Sequence, residues 1–435
     1  MFQKIKRLFL AQKVIFFLYT LLMAILMPFL FLRLLFKSFK VLAYRHRWKE
    51  RLGFFNYEFG SNGICIHAVS VGEVICAVPL IKLLKEKNPS LPITVTTTTP
   101  SGSERVKSLL GESVFHVYFP FDLPVFIKNF FSKIKPSIFI VVETELWPAT
   151  INHCKKNNID FIVANARLST KSFLSYKKIS PLMYSFMKYI KVAAQYESDS
   201  DNFRKLGVPN KNIITTGSIK FDINVKSSVL EYAKSYKSHF SKVGKDFVWI
   251  AASTHDGEEE KILFAHRQLL ERIPNLLLIL APRHPERSSH VSGLLKQEGF
   301  NYQKESDSSM LKEETEVLLI DSIGKLMEFY GASDLSFVGG SLVNKGGHNP
   351  IEPAFWGLPI ISGPNFFNFS DICKKLIDSG AMQIVDDASQ LIDNILYYLN
   401  YPAHIEVSSN SALEVISKNK GATIKLVNLI ENSMN

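Results

Sequence analysis

The chain has 435 residues, too many for one ordinary hydrophobic core, so two domains with an appendage are expected. Its 46% hydrophobic and 21% charged residues are proportions of a folded protein and exclude intrinsic disorder. The formal charge of +11 gathers at one end: residues 1–51 hold eleven Lys and Arg against the single acid Glu50, leaving a net +1 elsewhere, which argues against a basic groove and a nucleic-acid partner.

Val14 to Leu32 is a run of nineteen residues without a charge, about the length that crosses a bilayer as a helix. A cleaved signal peptide is disfavoured because bulky LRLLFKSFK follows where small residues should stand, and a core helix because basic residues flank both ends. A membrane anchor is therefore expected, either spanning the bilayer or, bent at Pro28, entering one leaflet. Four basic residues precede the run and seven follow it, which places the body of the protein in the cytoplasm. Residues 44–53, YRHRWKERLG, would then meet anionic headgroups or a phosphorylated lipid substrate. Residues 1–45 form this anchor and basic collar.

A first domain is expected over 46–222. Short apolar runs at 64–70, 93–99, 137–143, 160–166, 192–196 and 213–218 alternate with helical stretches, the pattern of a doubly wound parallel sheet. In such sheets ligands bind beyond the carboxyl ends of the strands, so the polar residues that follow each run are the candidates. HAVSVGEV (67–74) places Glu73 in the opening turn of a helix. It is either a general base, if its surroundings raise its pKa toward neutrality, or a complement to the helix dipole. ETELWP (143–148) supplies Glu143 and Glu145, which at i and i+2 of a strand end should point to opposite sides, with Glu143 toward the pocket. Arg167 of NARLS and Lys220 of GSIKFD belong to the same rim. Asp199-Ser200-Asp201 has the form of a D-x-D metal motif but opens a helix, where such residues act as caps. The cysteines Cys65, Cys76, Cys154 and Cys373 lie far apart without metal spacing and read as single thiols in a reducing compartment.

A polar linker is expected over 223–245, then a second array over 246–405 with strands at 247–253, 276–282, 316–321, 334–340 and 358–362. STHDGEEE (253–260) reads as a helix cap with amides that also suit phosphate. APRHPER (281–287) carries Arg283 and His284 on a proline-bounded loop, and DSIGKLMEF (321–329) places Gly324 before a helix. In SLVNKGGHNPIEPAFWGL, Asn349 is an N-cap, Pro350 fits the first helical position and Glu352 completes a capping box. Gly346 and Gly347 would admit a ligand to the helix amino end. Neither a Walker loop, nor G-x-G-x-x-G, nor G-x-S-x-G occurs, which argues against ATPase, dinucleotide and hydrolase readings. Residues 406–435 read as a final amphipathic helix, interrupted at Gly421, that returns to the first domain. The fold class expected is α/β, two Rossmann-like domains facing across a cleft.

Together and in this order, HAVSVGE, ETELWP, NARLS, GSIKFD, APRHPER and GGHNPIEPAFWGLPIISGP behind an N-terminal anchor resemble the Kdo transferases, the 3-deoxy-D-manno-octulosonic acid transferases of lipopolysaccharide assembly. The resemblance spans essentially the whole chain and implies a GT-B fold. It also implies inverting transfer of Kdo from CMP-Kdo to the phosphorylated lipid A precursor at an anionic membrane surface, with no bound metal or other cofactor. It puts Glu73 on the family's catalytic base, and Glu143 and Lys220 on transition-state stabilisers. Pro282, Arg283, Ile323, Gly324, Lys325, Asn349, Pro350, Ile351 and Glu352 fall on CMP-binding positions. Pro350 departs from the family's common pattern, an apolar residue after the asparagine, and removes one amide there. The alternative is another GT-B enzyme that uses a UDP-sugar and a lipid-linked acceptor.

Overall fold

The computed structural model describes residues 2–307 and 311–434. The chain forms two compact units, Met1–Asp222 with Lys420–Asn435, and Ile223–Asn419.

The first unit is built on a parallel sheet of seven strands: β1 Ile64–His67, β2 Ile93–Thr97, β3 Phe115–Tyr118, β4 Ile138–Val142, β5 Asp160–Ala166, β6 Ile190–Ala194 and β7 Ile213–Thr215. Their spatial order is β3-β2-β1-β4-β5-β6-β7. The central strands are covered on both faces, which is why they read as unbroken apolar runs: every residue of β1, β2 and β4 is buried. Phe119, Phe130, Phe131, Phe139 and Phe161 pack ring against ring beneath one face. Ile64, Ile66, Ile140 and Leu80 fill the other.

The second unit repeats the plan with β8 Phe247–Thr254, β9 Leu276–Pro282, β10 Tyr302–Lys304, β11 Val317–Leu319, β12 Leu335–Val338, β13 Ile360–Ser362 and β14 Met382–Ile384. Its order is β10-β11-β9-β8-β12-β13-β14, again all parallel. Both sheets change winding direction beside their first strand, between β1 and β4 and between β8 and β12. Such a switch opens a crevice at the carboxyl ends of the two strands. Strands β3, β10 and β14 were not anticipated.

At its end the chain forms two helices, Pro402–Asn419 in the second unit and Ala422–Met434 in the first. Asp222 caps the latter by accepting from the amides of Gly421 and Thr423, each at 2.6 Å. Leu426, Val427 and Ile430 then bury themselves in the first unit's core. At the other end a single helix covers Phe2–Lys40 and runs through Pro28. Its Lys13–Phe39 portion is long and apolar enough to cross a membrane by length and composition. Lys4, Lys6 and Arg7 of the basic collar lie outside the residues whose side chains are described.

Candidate functional site

In the first unit the crevice between β1 and β4 is lined by the residues that leave those two strands. After β1 the chain turns at Ser70 into the helix Val71–Lys87, with Glu73 in its first turn. The Glu73 carboxylate folds back on the turn, accepting from the Val69 amide at 2.6 Å and from the Ser70 hydroxyl at 3.1 Å. These bonds fix the carboxylate at the helix amino end, where the plainer reading had it complement the dipole, and a helix amino end ordinarily lowers a carboxyl pKa. Burial outweighs it here. With the neighbouring charges of Glu143 and Glu145, it pushes the Glu73 pKa from 4.5 up to about 7, against the pull of the two hydrogen bonds. Capping and a basicity suited to proton transfer near neutral pH therefore coexist in one side chain.

Strand β4 stops at Val142 because Glu143 adopts a left-handed backbone, φ 64°. The alternation expected for Glu143 and Glu145 thus does not extend past the strand, and both carboxylates act on Glu73. Glu143 forms an ion pair with Lys220, Nζ to Oε1 3.0 Å, with both side chains about one-third exposed. The structure therefore brings Glu73, Glu143 and Lys220 to one rim. The Arg167 carbonyl accepts from Thr144 Oγ1, which ties the loop after β5 to the turn after β4.

The residue that holds this rim together is one that sequence reasoning passed over. Asn165 lies at a register shift between β5 and β6, buried and left-handed at φ 52°. Its side-chain oxygen accepts from the Ile219 amide at 3.1 Å, and its amide nitrogen lies 3.3 Å from Cys76 Sγ on the Glu73 helix. Its own carbonyl accepts from Gln195. Asn165 thereby sets the Lys220 loop against the helix that carries Glu73. Asparagine's tolerance of left-handed backbone at a strand end was the available signal.

Asp199 and Asp201 serve structure: Asp199 Oδ1 accepts from the Leu168 amide at 2.7 Å, and Asp201 pairs with Arg204.

In the second unit the equivalent crevice lies between the ends of β8 and β12. Its organiser is Glu258, fully buried, whose carboxylate accepts from the amides of His255, Gly340, Ser341 and Leu342 at 2.7–3.0 Å. The loop after β12 is thus wrapped around a carboxylate from the loop after β8. Gly340 stands at φ 71°, and a Cβ there would lie 2.9 Å from His348 Cδ2, so the turn requires glycine. The amides of Gly347 and His348 are bonded to the carbonyls of Gly340 and Gly339, so they hold the loop rather than face outward.

The helix that follows is short, Ile351–Phe355, and starts one residue later than expected. Asn349 caps it, with Oδ1 accepting from the Ile351 amide at 3.1 Å and Nδ2 donating to Glu352 Oε1 at 3.2 Å. Pro350 lies in helical backbone, φ −84°. Burial raises the Glu352 pKa, opposed by the Asn349 hydrogen bond and the charge of Arg283. Pro282 ends β9, and the Arg283 amide donates to the Thr254 carbonyl at 2.9 Å. The charge of Arg283 also acts on His348, which stacks on His255 with their Nε2 atoms 2.8 Å apart. Burial first, then the charge of Arg283, lowers the His348 pKa to about 4.

Beyond β11, which neighbours β9, Gly324 turns at φ 93° and Ile323 is 81% exposed. Lys325 is held by Glu305, which also accepts from Ser322. The nine positions matched to nucleotide binding therefore all lie on the carboxyl rim of the second sheet.

Residues 46–223 match the family model described as 3-deoxy-D-manno-octulosonic-acid transferase (kdotransferase). The chain is 42% identical to 3-deoxy-D-manno-octulosonic acid transferase of Haemophilus influenzae, over 95% of its own length and 98% of that protein's. Among solved structures, it shows 34% identity to the C-terminal CMP-Kdo binding domain of WaaA from Acinetobacter baumannii, over 43% of this chain and 98% of that one, with a TM-score of 0.41. A UDP-N-acetylglucosamine 2-epimerase aligns over 83% of this chain and 95% of its own, at 14% identity and a TM-score of 0.53, a likeness of fold alone. Two parallel-sheet Rossmann-like units of GT-B type, and near-complete overlap with a relative at this identity, place the chain in the Kdo transferase family of lipopolysaccharide biosynthesis.

Proposed function

We propose that this glycosyltransferase moves Kdo from CMP-Kdo to the phosphorylated lipid A precursor, lipid IVA, with inversion at the anomeric carbon and Glu73 as general base. The observation that carries the proposal is the Glu73 carboxyl, shifted to about 7 by burial and by the charges of Glu143 and Glu145, on the rim between β1 and β4. Such a group is ionised enough near neutral pH to take a proton from the acceptor hydroxyl as it attacks, and is protonated readily when it does. Negative charge grows on the departing phosphate. Lys220, held by Glu143, and Arg283 are the cations assigned to stabilise it, so transfer is expected to persist in chelator.

The second unit is assigned the donor. Pro282 and Arg283, the Ile323-Gly324-Lys325 turn, and Asn349 to Glu352 receive CMP. Exposed Ile323 supplies an apolar contact, and Asn349 and Glu352 both shape the helix end and contact the nucleotide. Pro350 offers no amide to it. The first unit takes the acceptor and the second the donor; the segment 223–245, expected as a linker, belongs to the second unit, where the helix Ser227–Lys242 buries Ala233 and Phe240.

The N-terminal helix and its basic collar are assigned to the cytoplasmic face of the inner membrane, where an acceptor lipid with phosphates resides. Nucleotide competition separates this reading from a UDP-sugar transferase: CMP is expected to bind and UDP to fail, and the reverse overturns the donor assignment. Mass analysis of products formed from CMP-Kdo and lipid IVA then tests the acceptor.

A further inference from the structure

The helix Phe2–Lys40 has two different sides. Phe16, Tyr19, Met23, Met27 and Phe31 recur every three or four residues and are shielded by the first unit. Tyr19 Oη donates to Asp122 Oδ2 at 2.7 Å, Phe16 meets the ring of Phe186 at 5.9 Å, and Phe31 meets Phe121 at 5.5 Å and Trp48 at 5.7 Å. From Phe16 to Phe31 is about 22 Å of helix, so the docking runs along the helix rather than at one end. On the opposite side Phe17, Leu21, Ile25, Phe29, Leu32 and Phe36 are 46–67% exposed and form an unbroken apolar stripe.

Asp122 shows that the docking is built into the fold. It is buried, and besides the Tyr19 hydroxyl it accepts from the amides of Ala149 and Thr150 and from the Thr150 hydroxyl, at 2.6–2.9 Å. A helix attached in this way cannot stand along the bilayer normal without drawing the attached unit into hydrocarbon. A second observation lies beside it. The segment 168–196 contains no acid, and the helix Ser180–Met187 within it supplies Phe186 to the docked stripe. Around that helix Lys171, Lys177, Lys178 and Lys188 stand among exposed Leu174, Ile179, Tyr184 and Tyr189, the composition of a surface at headgroup level.

We propose that the N-terminal helix does not span the bilayer but lies in the plane of one leaflet, its outer stripe in the acyl chains. Tyr19 clasps it to Asp122, and the surface of 171–189 rests on anionic headgroups of the same leaflet. This rests on the membrane reading above and goes beyond it by fixing the orientation. The helix is about 40 Å long over Lys13–Phe39, more than the hydrocarbon thickness, and lying flat carries no length mismatch.

The test uses the full chain in vesicles of phosphatidylethanolamine and phosphatidylglycerol, with single cysteine spin labels at Phe17, Ile25 and Phe36. The four native cysteines are buried and stay unlabelled under native conditions. Relaxation by oxygen against a water-soluble nickel complex reads depth. One shared shallow depth at all three sites is expected. A deep Ile25 between two shallow ends means a spanning helix and overturns the proposal. Labels in water mean no membrane contact and overturn the membrane reading itself. Strong dipolar broadening between like labels means the stripe pairs with a second copy, which also overturns it. A pair of labels at Phe17 and Leu174 reads the clasp. A narrow distance distribution that broadens in Tyr19→Phe is expected, and equally broad distributions in both proteins contradict the docking.

Discussion

Glu73 carries two opposing influences, and their balance sets a measurable pH dependence. The Val69 amide and the Ser70 hydroxyl stabilise its anion, while burial and two neighbouring carboxylates destabilise it, leaving a pKa of about 7. A base must be deprotonated to act, so kcat/KM is expected to rise with pH through about 7. In Glu145→Gln one like charge is gone, the anion is easier to form, and the rising limb should move to lower pH by a fraction of a unit. A limb that stays in place or moves up would contradict this electrostatic account. Glu73 was visible in the sequence as an acid opening a helix after a strand, but its basicity was not. Burial and the nearness of residues 143 and 145 arise only when β1 and β4 pair, seventy-four residues apart in the chain.

Among the elements, the loop after β12 shows where legibility ended. Its glycines, Asn349 and Glu352 announced a tight turn and a capped helix, and both formed. Its scaffold did not announce itself, because the carboxylate that gathers the amides of residues 340–342 is Glu258, more than eighty positions earlier. Glu258→Ala leaves those amides buried without a partner. Thermal or denaturant unfolding should show the second unit destabilised by about 3–5 kcal/mol, with CMP affinity lost in parallel. Unchanged stability would mean that water or another group replaces the carboxylate. The strands divide in the same way. Doubly covered β4 and β9 read plainly as apolar runs, whereas Tyr302–Lys304 and Met382–Ile384 are three-residue sheet edges whose extension is set by pairing with a neighbour.

For the whole molecule, composition already located the basicity and the long apolar run at one end of the chain. It did not show that the apolar helix is part of a folded unit, because a helix apolar on every side hides which face meets protein. Removing residues 1–40 would uncover Phe121, Phe186 and the Asp122 carboxylate. Calorimetry of that truncation in detergent is expected to show the first unit's transition lowered by about 5–10 °C, roughly 2–4 kcal/mol of lost packing and hydrogen bonding. An unchanged transition would make the helix a mere tether.

The proposed division of labour, with the donor on the second unit and the base on the first, is tested most directly by one variant. Purified Glu73→Ala, supplied with CMP-Kdo and lipid IVA, should form no Kdo-bearing lipid by mass spectrometry while binding CMP as tightly as the unaltered protein. Transfer at a rate near that of the unaltered protein would show that Glu73 is not the base. Loss of CMP binding together with transfer would show that the two units do not divide the work in this way.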